Sequence, residues 1–389
     1  MHLLAEEEAI LAGESGETRQ QMMEILVALG KVFSADRLVP IRSAQVSGAS
    51  YKTIGEAGLE WLSTLDARVS VPTILNPVGM DRIRWREMEI GQAFAGKQED
   101  VINAYARLGI KLECTCTPYY IYQTRFGDHL AWSESSAVAY ANSVIGARTN
   151  REGGPSALAA AIIGKTPEYG LHRVEERKPQ IVIRIDRATN WEESALYGAL
   201  GYFAGREVGD KIPYLQGIRP KRDHLKALGA AMAASGAVAL FHVEGITPEA
   251  RIFEYDVGSL EVLSVEPEEI LSLMNHIPVD AVALGCPHCS PEELTEIAGL
   301  LEGRRVTRPL YVFASRKVIE KSTDAVACIE RYGGRVFADT CMVVSPALER
   351  YGAIMVNSGK ALAYVPNMCG AAVRIGTTEE CINSATEGS

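Results

Sequence analysis

Apolar residues recur along this chain at two alternating periods, and each period marks a different element. A short acidic helix is expected over about Ala5 to Ile10, then a longer amphipathic one from about Glu17 to Phe33, with Met22, Ile25, Leu26 and Leu29 on one face. A third helix is expected to begin near Thr53 or Gly55 and to carry Leu59, Trp61 and Leu62. Arg68 to Leu75 alternates as a strand does and stops at Asn76-Pro77. Ser133 to Ile145 reads as a helix with polar residues in its first turn and again at Asn142 and Ser143, and Ser156 to Ile163 as another. Further strands are expected at Gln180 to Ile185, Val238 to Val243, near Leu260 and near Val279. The theme repeats at Pro309 to Phe313, Arg335 to Ala338, Ala353 to Val356 and Ala372 to Ile375. Helix and strand alternate throughout, which argues for an α/β protein with parallel sheets. A first region over 1–178 and a second over 179–389 are expected, because turn-forming composition gives way to a new strand near Pro179.

Composition narrows the function classes. With 389 residues the chain is too long for one ordinary core. Its 47% hydrophobic and 23% charged residues are those of a soluble globular protein, and no apolar run is long enough for a membrane span. The opening Met-His-Leu-Leu-Ala-Glu-Glu-Glu lacks the basic and apolar parts of a signal peptide, so a cytoplasmic protein is expected. In that compartment eight cysteines point to free thiols or metal ligands rather than disulfides. A net charge of -10 with no basic run opposes nucleic-acid binding while leaving room for a local pocket that takes a small anion.

Three stretches run as an apolar strand into a cysteine: Ile110 to Cys116, Val279 to Cys286 and Arg335 to Cys341. Carboxyl ends of strands border the ligand crevice of open α/β sheets, so three thiols from distant parts of the chain can meet there. Three thiolates suit a metal cluster with one open coordination site. Cys114 shares a strand face with Cys116, so periodicity does not choose between them. Cys286-Pro-His-Cys289 permits a zinc half-site, a redox pair, or one cluster ligand with a bystander. A zinc-stabilised, non-catalytic scaffold using Cys114, Cys116, Cys286 and Cys289 is therefore a rival from another class. Two loops are suited to an anion: Ser47-Gly48-Ala49-Ser50, with small residues before a helix, and Asn357-Ser-Gly-Lys360, where a lysine follows a strand. His129 and His288 are candidates for acid/base work or ligation, each against the plain alternative of a hydrogen-bonded structural histidine. No Gly-x-Ser-x-Gly elbow, His-Glu-x-x-His or Walker loop occurs.

The ordered set Gly48-Ala-Ser-Tyr-Lys-Thr-Ile-Gly-Glu-Ala-Gly58, Val71-Pro-Thr-Ile-Leu-Asn-Pro-Val-Gly-Met-Asp81, Cys116-Thr-Pro-Tyr119, Gly285-Cys-Pro-His288 and Asp339-Thr-Cys341 resembles the large subunit of the aconitase X family. Two of these segments look like its archaeal branch, the phosphomevalonate dehydratases, rather than its bacterial branch, the cis-3-hydroxy-L-proline dehydratases. The resemblance implies an aconitase-like large subunit of several α/β/α subdomains around a central cluster site. It implies an iron-sulfur cluster of the [4Fe-4S] type on Cys116, Cys286 and Cys341, with Cys114, Cys289, Cys328, Cys369 and Cys381 outside the pattern. Substrate contacts are implied at Gly48, Ala49, Ser50, Asn76, Pro77, Asn142, Ser143 and Lys360. No catalytic residue is expected on this chain, since the family's general base is a serine on a small subunit of the aconitase swivel-domain type, giving a heterodimer. The implied reaction is a hydro-lyase step that dehydrates (R)-5-phosphomevalonate to trans-anhydromevalonate 5-phosphate in an isoprenoid-forming mevalonate pathway. A cis-3-hydroxy-L-proline or other hydroxy-acid dehydratase is the alternative within the family.

Overall fold

Residues 1–185, 193–274 and 276–387 are described in a computed structural model of the chain. The first region builds a parallel sheet in the order Lys111–Cys114, Thr73–Leu75, Ala44–Val46, Ala131–Trp132. Parallel neighbours need a crossover between them, and the helices Tyr51–Thr64 and Gln92–Arg107 supply two of these. The helices Glu17–Val32 and Gly154–Ile163 bury Met22, Met23, Leu26 and the run Ala157 to Ile162 in one core with this sheet.

Two further parallel sheets follow. One has the order Val262–Val265, Ile181–Ile185, Pro213–Gln216, His242–Val243. The other has the order Arg335–Phe337, Leu310–Ala314, Ala281–Cys289, Ala353–Val356, Ala372–Ile375. Its central strand, Ala281–Cys289, is buried along its whole length, as a strand covered by helices on both faces must be. The second region therefore contains two sheets, and residues from both enter one continuous apolar core. A small antiparallel ribbon, Leu38–Pro40 against Lys165–Pro167, stands apart from all three.

Several elements differ from the sequence-based expectation for identifiable reasons. The strand expected over Arg68 to Leu75 shrinks to Thr73–Leu75. Pro72 has no N–H for a ladder, while the Val69 and Ser70 amides bond to Leu108 O (2.9 Å) and Ala161 O (2.8 Å) instead. Val238 to Val243 retains only His242–Val243, because the Phe241 amide donates to Ser143 Oγ (2.8 Å) rather than to a strand. The expected helix over Ser133 to Ile145 becomes Ser135–Tyr140 followed by a π-helical turn, Ala141–Ile145. Ala44–Val46, Ala131–Trp132 and Pro213–Gln216 are strands too short to show alternation in sequence. No described helix is long and apolar enough to cross a membrane.

Candidate active site

All four strands of the first sheet end at the same cavity. Ser47 follows Ala44–Val46, Asn76 and Pro77 follow Thr73–Leu75, Cys116 follows Lys111–Cys114, and Ser133, Glu134 and Ser135 follow Ala131–Trp132. The third sheet supplies the opposite wall, with Gly285 and Cys286 from its central strand, Cys341 beyond Arg335–Phe337, and Lys360 just beyond Ala353–Val356. Two sheets thus meet with their carboxyl ends on a cavity of about 250 Å³. The junction is stitched by a parallel bridge between Val78 and Thr340, by Ser50 Oγ donating to Val344 O (3.0 Å), and by Lys52 Nζ donating to Met368 O (2.7 Å).

Three thiols line the cavity: Cys116, Cys286 and Cys341. Burial pushes each above the usual thiol range, Cys286 to about 12, and Lys360 pulls the other way on all three. Gly285, which aims Cys286, has φ 95°, and a Cβ there would lie 2.1 Å from Phe313 O. Only glycine fits that backbone so close to its neighbour strand. Cys114 packs in the core of the first region, and Cys289 in the cluster on the far face of the third sheet. The four thiols Cys114, Cys116, Cys286 and Cys289 are thereby divided between a cavity and two separate cores. A single zinc would need its sulfurs within about 4 Å of one another. No three described His, Cys, Asp or Glu residues are placed to hold one ion, so the four-thiol zinc site expected of a scaffold is not assembled.

The charged centre of the cavity is Glu134 with Lys360. The Lys360 ammonium donates to Glu134 Oε1 and to Ser136 Oγ (3.2 Å), and Asn76 Nδ2 donates to Glu134 Oε2 (2.7 Å). Burial alone would raise the Glu134 carboxyl, but Lys360, Asn76 and the Ser136 amide together hold it below the usual carboxylate range. Burial likewise opposes the Lys360 charge and is overcome first by Glu134, then by Cys286 and Cys116. Because Asn76 Nδ2 faces Glu134, its Oδ1 is fixed as an acceptor, and that buried oxygen has no partner among the described residues. The exposed Arg151 stands at the rim.

Of the sequence-derived contacts, Asn76, Pro77 and Lys360 line the cavity with the three cysteines. Gly48, Ala49 and Ser50 continue from the lining residue Ser47, and their backbone N–H groups find no partner among the described residues. Asn142 and Ser143 are corrected. Asn142 Nδ2 donates to Thr149 O (2.8 Å) and Ala239 O (2.9 Å), while its Oδ1 accepts from the Thr149 amide (3.0 Å) and Arg177 (3.2 Å). All four of its hydrogen-bonding positions are used inside the protein, leaving none for a ligand. Ser143 is occupied by Phe241, and both residues bind the first region to the second sheet instead. His129 lies elsewhere, its Nδ1 2.9 Å from Nδ1 of His172. Sequence reasoning missed Glu134, Ser135 and Arg151. The first two had a usable signal, since Ser133-Glu-Ser-Ser joins a strand to a helix start just as Ser47 to Ser50 does.

His288 is fully buried, and burial lowers its pKa to about 4, so the ring is neutral at physiological pH. Its Nε2 lies 2.8 Å from Thr340 O, which can only accept, so that nitrogen carries the proton and Nδ1 accepts from Thr115 Oγ1 (3.0 Å).

Models of the aconitase X first, second and third domains match residues 1–175, 179–275 and 279–387 in turn. The chain belongs to the aconitase X family. Among its relatives, the phosphomevalonate dehydratase large subunit of Methanosarcina mazei is 51% identical, over 100% of this chain and 98% of that protein. The protein of the same name from Methanocaldococcus jannaschii is 46% identical over 98% and 99%. The cis-3-hydroxy-L-proline dehydratase of Pseudomonas aeruginosa is 35% identical over 98% of this chain but only 69% of its own length. The crystal structure of Thermococcus kodakaraensis aconitase X in its holo-form superposes with a TM-score of 0.92 at 46% identity, covering 99% of this aconitase X chain and 100% of that one. The matched segments follow the three sheets, so the second region carries two family domains.

Proposed function

We propose that this chain is the large subunit of a phosphomevalonate dehydratase, a hydro-lyase that removes water from (R)-5-phosphomevalonate to give trans-anhydromevalonate 5-phosphate. What carries this reading is the full-length similarity to large subunits of that name, 51% and 46% identical, against 35% for the hydroxyproline enzyme. The donor chemistry of the cavity fits an iron-sulfur cluster: three thiols from three segments, one buried cation to offset their charge, and no fourth thiol on the wall. Cys116, Cys286 and Cys341 would hold it, most simply as [4Fe-4S]. When bound, such a cluster with an uncoordinated iron supplies a Lewis acid for the leaving hydroxyl and the carboxylate.

The chain's own residues bind and orient. The open Asn76 Oδ1 accepts a hydrogen bond from a substrate hydroxyl, and the ionised Glu134 holds Asn76 and Lys360 in place around it. The unpartnered N–H groups of Gly48 to Ser50, with Arg151 at the rim, match a phosphate dianion. Cysteines committed to a cluster are not free to take a proton from the substrate, which suits a base delivered by a partner. A serine on a small subunit of swivel-domain type fills that role. The relatives named large subunits, matched over 98% and 99% of their own length, are in keeping with a separate small subunit.

Anaerobic co-purification with that small subunit tests the reading. The complex is expected to be brown, to contain iron and sulfide, and to dehydrate phosphomevalonate. Activity on cis-3-hydroxy-L-proline without activity on phosphomevalonate would overturn the substrate assignment, and a colourless active complex would overturn the cluster. Cys116→Ser, Cys286→Ser and Cys341→Ser should each abolish iron binding, whereas Cys328→Ser, on an outer helix, should not.

A further inference from the structure

One residue reaches all three cysteine-bearing segments of the cavity. The His288 main-chain N–H donates to Cys116 Sγ (3.1 Å). Its Nε2 donates to the carbonyl of Thr340, immediately before Cys341, and its Nδ1 accepts from the hydroxyl of Thr115, immediately before Cys116. Cys286 lies two positions earlier on the same strand. The residue is itself held from behind, since Lys226 Nζ donates to His288 O (3.3 Å) while paired with Glu293. His288 itself is not among the residues that line the cavity.

We infer that His288 is a positioning residue for the three thiols, its ring joining the Cys116 and Cys341 loops to the Cys286 strand across two domains. The inference rests on the cluster reading above. An imidazole is suited to this because it offers a donor and an acceptor at opposite edges of a rigid plane, so the two loops are set at a fixed separation. Thr115 extends the linkage: its hydroxyl donates a hydrogen bond to the ring and accepts one from the Thr117 amide (3.1 Å), which shapes the turn after Cys116. The N–H on Cys116 Sγ adds an electronic effect, because hydrogen bonds to cluster sulfurs help set the reduction potential. A ring change that shifts the strand also shifts that bond. Outer partners of metal ligands are worth about 10–100-fold in affinity when removed.

The test uses the two-subunit holoenzyme, reconstituted anaerobically, with His288→Leu, His288→Gln and Thr115→Val. Iron and sulfide content, the rate of cluster loss to a chelator and the electron paramagnetic resonance spectrum of the reduced protein are measured beside apoprotein unfolding. His288→Leu should release its cluster about 10–100-fold faster than wild type with an altered spectrum, and Thr115→Val should shift both in the same direction. His288→Gln, which keeps a donor and an acceptor, should recover part of the loss. Equal loss in the Gln and Leu variants would overturn the hydrogen-bonding basis. Wild-type retention and spectrum in His288→Leu would overturn the inference while leaving the cluster reading intact; a wild-type complex without iron would remove both. Should His288→Leu fail to fold, Thr115→Val decides, and an unchanged release rate there overturns the inference.

Discussion

Replacing Lys360 with methionine keeps most of the side-chain volume and removes the cation paired with Glu134. Both partners are nearly enclosed, with side-chain exposures of 7% and 11%, so solvent cannot take over the lost interaction. Removing one member of a buried ion pair typically costs about 3–5 kcal/mol, because the survivor is left charged and uncompensated. The pH dependence should invert as well. In the wild type, Glu134 has a folded pKa below its unfolded value of about 4.3. Its contribution is fully present above that value and is lost as the pH falls through the folded pKa. Without Lys360, burial becomes the dominant influence and the folded pKa moves above the unfolded one. Glu134 then stabilises only below about pH 4.3 and increasingly destabilises as the pH rises through the new folded value. Urea unfolding of the apoprotein across the acid to neutral range measures both effects. Lys360→Met should lose most at neutral pH and recover on acidification, and adding Glu134→Gln should restore much of the loss. A variant within about 1 kcal/mol of wild type at neutral pH, the scale of an exposed pair, or one with no change in pH slope, would refute this account of the site.

Other consequences can be checked in the same preparations. Gly285→Ala should destabilise the chain by more than the roughly 1–2 kcal/mol charged for a left-handed residue, since its Cβ meets Phe313 O at 2.1 Å; Gly303→Ala, with φ 75° and nothing within 4 Å, should show only that smaller cost, and equal unfolding midpoints would refute the steric reading. Arg316→Met should leave the buried Asp81 and Asp339 uncompensated, costing about 3–5 kcal/mol at neutral pH. Burial already raises Asp339 despite Arg316, so the destabilisation should grow as the pH rises through its folded pKa, and an unfolding profile that improves with pH would refute it. Ser143→Ala should cost about 1–3 kcal/mol by stranding the Phe241 amide while leaving KM unchanged in steady-state assays; a raised KM with wild-type stability would return Ser143 to the substrate site.

Periodicity made the parallel α/β class legible because the strands of the third sheet are apolar runs bounded by turn residues, and the same runs deliver Cys286 and Lys360. The first sheet was harder to read. Its strands are two to four residues long, and Ala44–Val46 is buried through the polar Gln45, which donates to Thr115 O (2.7 Å) and accepts from the Glu134 amide (3.3 Å). A glutamine committed to the loops that follow two other strands cannot be told from a surface glutamine in a bare sequence. The choice of Cys116 over Cys114 was closed to strand periodicity for a related reason. The strand ends at Cys114, so Cys116 already lies in the loop that turns it into the cavity. Asn142 and Ser143 could not be placed from sequence because a buried polar pair that ties the π turn Ala141–Ile145 to Ala239 and Phe241 has the same residue types as a pair that meets a ligand.

The placement of the three thiols has a thermodynamic consequence. Cys116 belongs to the first domain and Cys286 and Cys341 to the third, and although Met80, Met88 and Ile90 of the first region join the large core of the other two, most of the first region's apolar residues pack in a core of their own. Much of what joins the two cysteine-bearing walls is polar: Val78 with Thr340, Ser50 with Val344, Lys52 with Met368, and His288 with Thr115. Each such bond contributes only about 1 kcal/mol net, so these polar links fix the register of the two walls while the apolar contacts of Met80, Met88 and Ile90 supply more of the attraction. Anything that binds all three thiols at once acts only on the docked arrangement and stabilises it in proportion to its affinity. A group held by all three thiols would thus be coupled to the docking of the two walls, and a change at His288 or Ser50 is expected to lower its retention with all three thiols still present.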